Sequence, residues 1–214
     1  MFKSSPLLQR LNLSYNSILN FDSKLLSQCK QVIELNSSHN QITTLKINEI
    51  LDASPKIEVL NAAFNNLLAI SDYNSQKYVG LKQLNLAGNR MTVIISNTFT
   101  SYPKLRLLNV STNNLANIED DAFERFLKVL DLSMNNLNDL SLNLPDSLEY
   151  LSIASNQLKY WPISILSRHL TELELQQNQL EEIFNIASRT KFEFTSLIAF
   201  NVSHNQLCKI NGKH

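Results

Sequence analysis

Apolar residues recur along this chain at a spacing that predicts stacked units. Leu8, Leu11, Leu13, Asn16 and Ile18 stand in the order L-x-x-L-x-L-x-x-N-x-L, and the same order returns as Leu81, Leu84, Leu86, Asn89 and Met91. Anchored on its Asn, the pattern repeats at Asn16, Asn40, Asn65, Asn89, Asn113, Asn135, Asn156, Asn178 and Asn205. The steps between them are 24, 25, 24, 24, 22, 21, 22 and 27 residues. A sustained period of this size predicts a solenoid, in which each unit buries its apolar face only against its neighbours. The nine units fill residues 1–214 and read as one domain. Ser37 and Ala62 replace the third Leu in the second and third units, and Phe200 the second Leu in the ninth. These read as volume changes within a buried column.

Within each L-x-L the apolar residues alternate, as in Leu11-Asn12-Leu13, which predicts a short strand with those residues inward and their neighbours outward. Successive strands should stack in parallel about 4.8 Å apart. The Asn follows where the chain must turn, and a buried amide there can satisfy backbone groups that no strand ladder reaches. All nine Asn are therefore read as scaffold and not as ligand contacts.

Nine registered copies of five hydrophobes and an Asn resemble the leucine-rich-repeat family over nearly the whole chain. The resemblance implies an α/β solenoid: a right-handed horseshoe with a parallel β-sheet on its concave face and irregular or short helical convex returns. It implies an asparagine ladder. It also implies a convex phenylalanine spine at Phe99 and Phe123, each five residues past the last hydrophobe of its repeat, Ile94 and Ile118. Such a spine is common in extracellular members, and the chain is most similar to a segment of a Toll-like or adhesion-receptor ectodomain. The return at 140–148, which holds Pro145, should be extended or a short turn of helix. The 27-residue step leaves room for a bulge over 185–194, with Phe192 and Phe194 plugging the convex core.

Both ends read as lacking caps. The first repeat starts at Leu8, only Asn-Gly-Lys-His follows Ile210, and neither end carries a Cys cluster. The expectation is a segment of a longer protein whose exposed ends allow homo-association. Cys29 and Cys208 lie about eight strand spacings apart, far beyond disulfide reach, so each is a small buried hydrophobe or a free thiol.

Composition narrows the partners. Lys plus Arg and Asp plus Glu are 19 each, so no net field draws the whole chain to nucleic acid or to an anionic membrane. No run approaches the roughly 20 apolar residues of a membrane span, so this segment should not insert directly. The four His, at 39, 169, 204 and 214, are dispersed; His39 and His204 share a repeat position seven repeats apart and cannot join in a metal site. No phosphate-cradling loop, nucleophile elbow or metalloprotease motif occurs. Glu119, Asp120 and Asp121 form a solvated return loop, and Glu181 and Glu182 follow the eighth repeat. The chain is read as no enzyme and as needing no cofactor.

Function is therefore expected on the concave sheet. The outward position before the second consensus Leu holds Arg10, Glu34, Val59, Gln83, Leu107, Val129, Tyr150, Glu172 and Ala199 in turn. Leu107, Val129 and Tyr150 fall on successive strands, with Met134 outward near the end of the middle one, Glu172 and Glu174 beyond, and Arg106 and Lys128 alongside. An aromatic-aliphatic centre with a charged rim suits a protein-binding hot spot. Asn12, Asn36, Asn109 and Asn201 begin N-x-S sequons and are candidate glycosylation acceptors, although the repeat itself favours Asn-Leu-Ser and all four lie on the same face. The expected function is a recognition module in an extracellular or cell-surface protein, binding a protein ligand, co-receptor or microbial ligand. An intracellular scaffold or regulator of an enzyme complex is the alternative.

Overall fold

The computed structural model describes residues 5–70, 77–161, 169–183 and 195–210. Nine three-residue strands form one parallel sheet in chain order: Arg10–Asn12, Glu34–Asn36, Val59–Asn61, Gln83–Asn85, Leu107–Asn109, Val129–Asp131, Tyr150–Ser152, Glu172–Glu174 and Ala199–Asn201. The register is unbroken, so the second consensus position forms a single row from Leu11 through Leu35, Leu60 and Leu84 to Leu173 and Phe200. Alternation buries that row while its neighbours on either side face the concave surface. Phe200 departs from the buried column expected of it and is 39% exposed. Among the described residues its strand pairs only on the Glu172–Glu174 side, and Trp161 meets its ring edge-on at 6.1 Å.

The asparagine ladder is present. Asn113 is typical: its Nδ2 donates to Leu86 O of the preceding repeat at 3.1 Å and to Val110 O and Ser111 O of its own. Its Oδ1 accepts from Met91 N at 3.0 Å, so one side chain ties two repeats together. The same exchange links every consecutive pair of repeats, from Ile18 N to Asn40 Oδ1 through Leu180 N to Asn205 Oδ1. The amide can lie in an apolar core because its hydrogen-bonding capacity is used.

The turn that delivers each Asn inward requires a left-handed residue immediately before it. Tyr15, His39, Phe64, Gly88, Thr112, Met134, Ser155, Gln177 and His204 all have φ between 52° and 64°, and eight of the nine are not glycine. The first three stack: Tyr15 lies 4.2 Å from His39, and His39 4.5 Å from Phe64, with nearly parallel rings. Left-handed backbone costs an ordinary residue on the order of 1 kcal/mol. Eight of the nine repeats accept that cost because the geometry places the ladder Asn, and Gly88 avoids it in the fourth.

The returns vary as expected. They include a 3-10 turn Ser23–Leu26, capped by Asp22 on Lys24 N at 3.0 Å, and a helix Ile47–Ala53. Two two-stranded ledges pair Val93–Ile94 with Asn117–Ile118 and Glu182–Ile183 with Lys209–Ile210. Phe99 and Phe123 stack at 6.1 Å with an interplanar angle of 1°, the expected spine. Residues 140–148 form bends and turns with no helix or strand. The bulge expected over 185–194, with Phe192 and Phe194, lies outside the described residues. Cys29 is buried and Cys208 exposed, both as free thiols, so a buried role holds only for the first.

Candidate concave-face site

Strand register decides which outward side chains are neighbours. Leu107 aligns with Val129, Val129 with Tyr150 and Tyr150 with Glu172, so the four form one row across four adjacent strands. Leu107, Val129 and Tyr150 are half-buried, while Glu172 is exposed. Two residues along each strand runs a second row, Asn109, Asp131, Ser152 and Glu174. Asp131 therefore stands beside the patch, a member that sequence reasoning missed. It occupies a position that is Asn in six of the nine strands, and that exchange of amide for carboxylate was the available signal.

The two rows share an electrostatic field. Burial pushes the Tyr150 phenol above its ordinary value, and the charges of Asp131, Glu174 and Glu172 push it the same way, against a lowering by its hydrogen bond to Ser152. Asp131 Oδ1 accepts from Ser133 N at 3.0 Å and Ser133 Oγ at 2.6 Å, a turn that holds the carboxylate in place. Among the described residues no Lys, Arg or His comes within ion-pair distance of Asp131, Glu172 or Glu174.

The expected cationic rim is arranged differently. Arg106 and Lys128 belong to the row that precedes the outward one. Lys128 pairs with Glu149 at 2.5 Å. Arg106 donates to Pro103 O and Leu105 O and lies 5.7 Å from the ring centre of Phe126 on the return side. Both charges are thus engaged along the flank. Met134 sits in the left-handed turn column, past the end of its strand, 56% exposed and accepting a contact from Thr112 Oγ1 at 3.6 Å. The second row separates it from Val129.

The sequon asparagines lie where alternation placed them. Asn12, Asn36, Asn109 and Asn201 each accept the N–H of the residue two ahead through Oδ1. Asn12 is exposed and the other three are half-buried. His39 and His204 both occupy the left-handed column, His169 Nδ1 lies 3.1 Å from Asp146 O, and His214 is outside the described residues. A cleft of about 420 Å3 opens on the return side between Ser96, Asn117, Glu119, Asp120 and Asp139. Amides, hydroxyls and carboxylates line it together with Ala116, Ile118, Leu140 and Leu142, and none of the described residues around it is a histidine that could serve as a base.

Known proteins share the repeat pattern. A leucine-rich-repeat family model matches residues 55–115, and a second matches 124–142 and 166–181. The chain belongs to the leucine-rich-repeat family. It is 26% identical to bovine (Bos taurus) osteomodulin over 208 residues, 94% of this chain and 47% of that protein. It is 31% identical to human (Homo sapiens) podocan-like protein 1 over 209 residues, 94% of this chain and 40% of that protein. The repeats thus span less than half the length of these relatives. Among solved structures, that of the LRIM1/APL1C complex matches with a TM-score of 0.77 at 25% identity, covering 95% of this chain and 36% of that one. The TLR13–ssRNA13 complex matches with a TM-score of 0.77 at 22% identity, covering 92% of this chain and 29% of that one, a likeness of fold.

Proposed function

We propose that this leucine-rich-repeat chain is a non-catalytic recognition module whose concave sheet binds a protein partner through Leu107, Val129 and Tyr150. The observation that carries the reading is their continuity. Three large side chains stand in register on adjacent strands, whereas the other apolar members of the row, Val59 and Ala199, stand singly among charges and an amide, and contiguous apolar surface is what a binding centre requires. Glu172 and Glu174 complete one side of the site. Met134, Arg106 and Lys128 are peripheral to it. The LRIM1/APL1C structure is itself an assembly of two proteins, which supports a protein as the partner class.

An extracellular or cell-surface origin fits the same reading. The stacked Phe99 and Phe123 and the four sequons support it, with Asn12 the most exposed acceptor. Peptide mass mapping of the secreted chain should find glycan on Asn12 or Asn201; a fully unmodified chain would favour the intracellular-scaffold alternative.

Photo-cross-linking tests the site whichever protein the partner is. A benzoylphenylalanine at position 129, in the chain produced by its own cells, should give a discrete adduct that the same residue at position 124 on the convex return does not. The adduct should vanish in the Tyr150→Ala background. Equal adducts from both positions would place binding elsewhere.

A further inference from the structure

The carboxylates near the concave face are treated unequally. Glu34 pairs with Arg10, Glu58 with Lys82 and Glu149 with Lys128, each across adjacent repeats at 2.5 to 3.1 Å. Asp131, Glu172 and Glu174, which surround Tyr150, have no such cation among the described residues. Of the two cations in the row beside the patch, Lys128 pairs with Glu149, and Arg106 donates to Pro103 O and Leu105 O with its guanidinium 5.7 Å from the Phe126 ring centre. The face therefore carries its uncompensated negative charge at one place, directly beside its apolar row.

From this we infer that the partner presents a basic segment, in which a Lys or Arg side chain meets Tyr150 between Asp131, Glu172 and Glu174 while a neighbouring apolar side chain covers Leu107 and Val129. The inference rests on the concave-face reading and names its partner chemistry. Several features converge on a cation. An ammonium or guanidinium beside an aromatic ring gains a cation–π contact, and carboxylates clustered within a few strand spacings raise its local concentration. Arg fits best, because a carboxylate can accept its planar fork in two parallel bonds. The dimensions suit an extended peptide laid across the strands. Tyr150 and the point midway between Leu107 and Val129 are one and a half steps of about 4.8 Å, or about 7 Å, apart, and neighbouring side chains of an extended chain on one face repeat every 6.6 Å or so. One apolar and one basic residue, two positions apart, would span the site. A phosphodiester backbone would meet the same three carboxylates as repulsion.

The test uses an array of dodecapeptides with fixed positions scanned through all residues, probed with the fluorescently tagged chain, and a single-stranded oligouridylate as the contrasting probe. Retained peptides should be enriched in Arg or Lys two positions from Leu, Ile or Phe. Their affinity should fall about tenfold in Glu172→Gln/Glu174→Gln, which preserves shape and removes charge, and fall again in about 0.5 M salt. Glu34→Gln should change nothing. Far-ultraviolet circular dichroism of each variant establishes that the fold is kept. If Tyr150→Ala abolishes retention but the peptides show no basic preference, the patch stands and this inference fails. If neither Tyr150→Ala nor the double Gln variant alters retention, or no peptide is retained, both readings fail. Tighter binding of the oligouridylate than of any peptide would also overturn it.

Discussion

The ring of Phe64 lies over Gly88 so closely that a Cβ at position 88 would stand 2.4 Å from Phe64 Cδ1. Gly88 has φ +64°, but eight non-glycine residues of the same column also lie in the left-handed region, between 52° and 57°. Backbone conformation alone therefore does not demand glycine here. The end of the Tyr15–His39–Phe64 stack does. Gly88→Ala should destabilise the chain by about 1–2 kcal/mol, part from the left-handed backbone and part from displacing the ring. In a Phe64→Ala background the same change should cost less, because the clash is gone. Equal costs in the two backgrounds, by urea denaturation, would show that the ring does not set the residue at 88.

Asn113→Ala should cost more than about 1.5 kcal/mol. It leaves Met91 N–H and the Leu86 carbonyl without the side-chain partner that joins their repeat to the next, both in buried surroundings. An unchanged denaturation midpoint would mean that the amide contributes nothing to cohesion between repeats.

The field around Tyr150 has a spectroscopic signature. Its phenol is pushed above the ordinary value first by burial and then by Asp131, Glu174 and Glu172. Removing charge at Glu172 and Glu174 with Gln should therefore let Tyr150 ionise at lower pH than in the wild type, while burial keeps it above the ordinary value. Ring-labelled tyrosine followed by NMR through the alkaline range reads this directly. An unmoved titration would separate the carboxylates from the phenol.

Exposed apolar groups at the first and last strands invite association. Leu7 is 83% exposed and Ile198 86%, with Phe200 open beside it. The isolated chain should self-associate as concentration rises, and Ile198→Lys/Phe200→Lys should suppress it. Sedimentation velocity showing a monomer at high concentration in the wild type would contradict this.

What could be read in the sequence was whatever the period repeats. The strands and the inward Asn from Asn40 to Asn205 follow from positions that recur in type, and the Phe99–Phe123 spine from the family resemblance that those positions carry. The left-handed column did not announce itself, because the turn constrains backbone and leaves the side chain free. Tyr15, Gly88, Met134 and Gln177 share a conformation and nothing else. For the same reason the pattern alone places Met134 at the end of its strand, one turn short of where it stands. The patch row Leu107–Val129–Tyr150 was legible through alternation. Its charges were not, since which cation neutralises which carboxylate depends on contacts across repeats. Lys128 reaches Glu149, Arg106 turns to Phe126, and Asp131 emerges as a neighbour of Tyr150 only when strands are set in register.

The central claim is that Tyr150 anchors a partner on the concave sheet. The most direct measurement is titration calorimetry of the partner recovered by cross-linking at position 129, against wild type, Tyr150→Ala and Glu119→Ala. Glu119 lies on the return side, exposed, with its carboxylate accepting from Ser96 N at 2.9 Å. Tyr150→Ala should lose about 2 kcal/mol of binding or more with folding nearly intact, and Glu119→Ala less than about 1 kcal/mol. Equal affinity for Tyr150→Ala and wild type, or a larger loss from Glu119→Ala, would contradict the account.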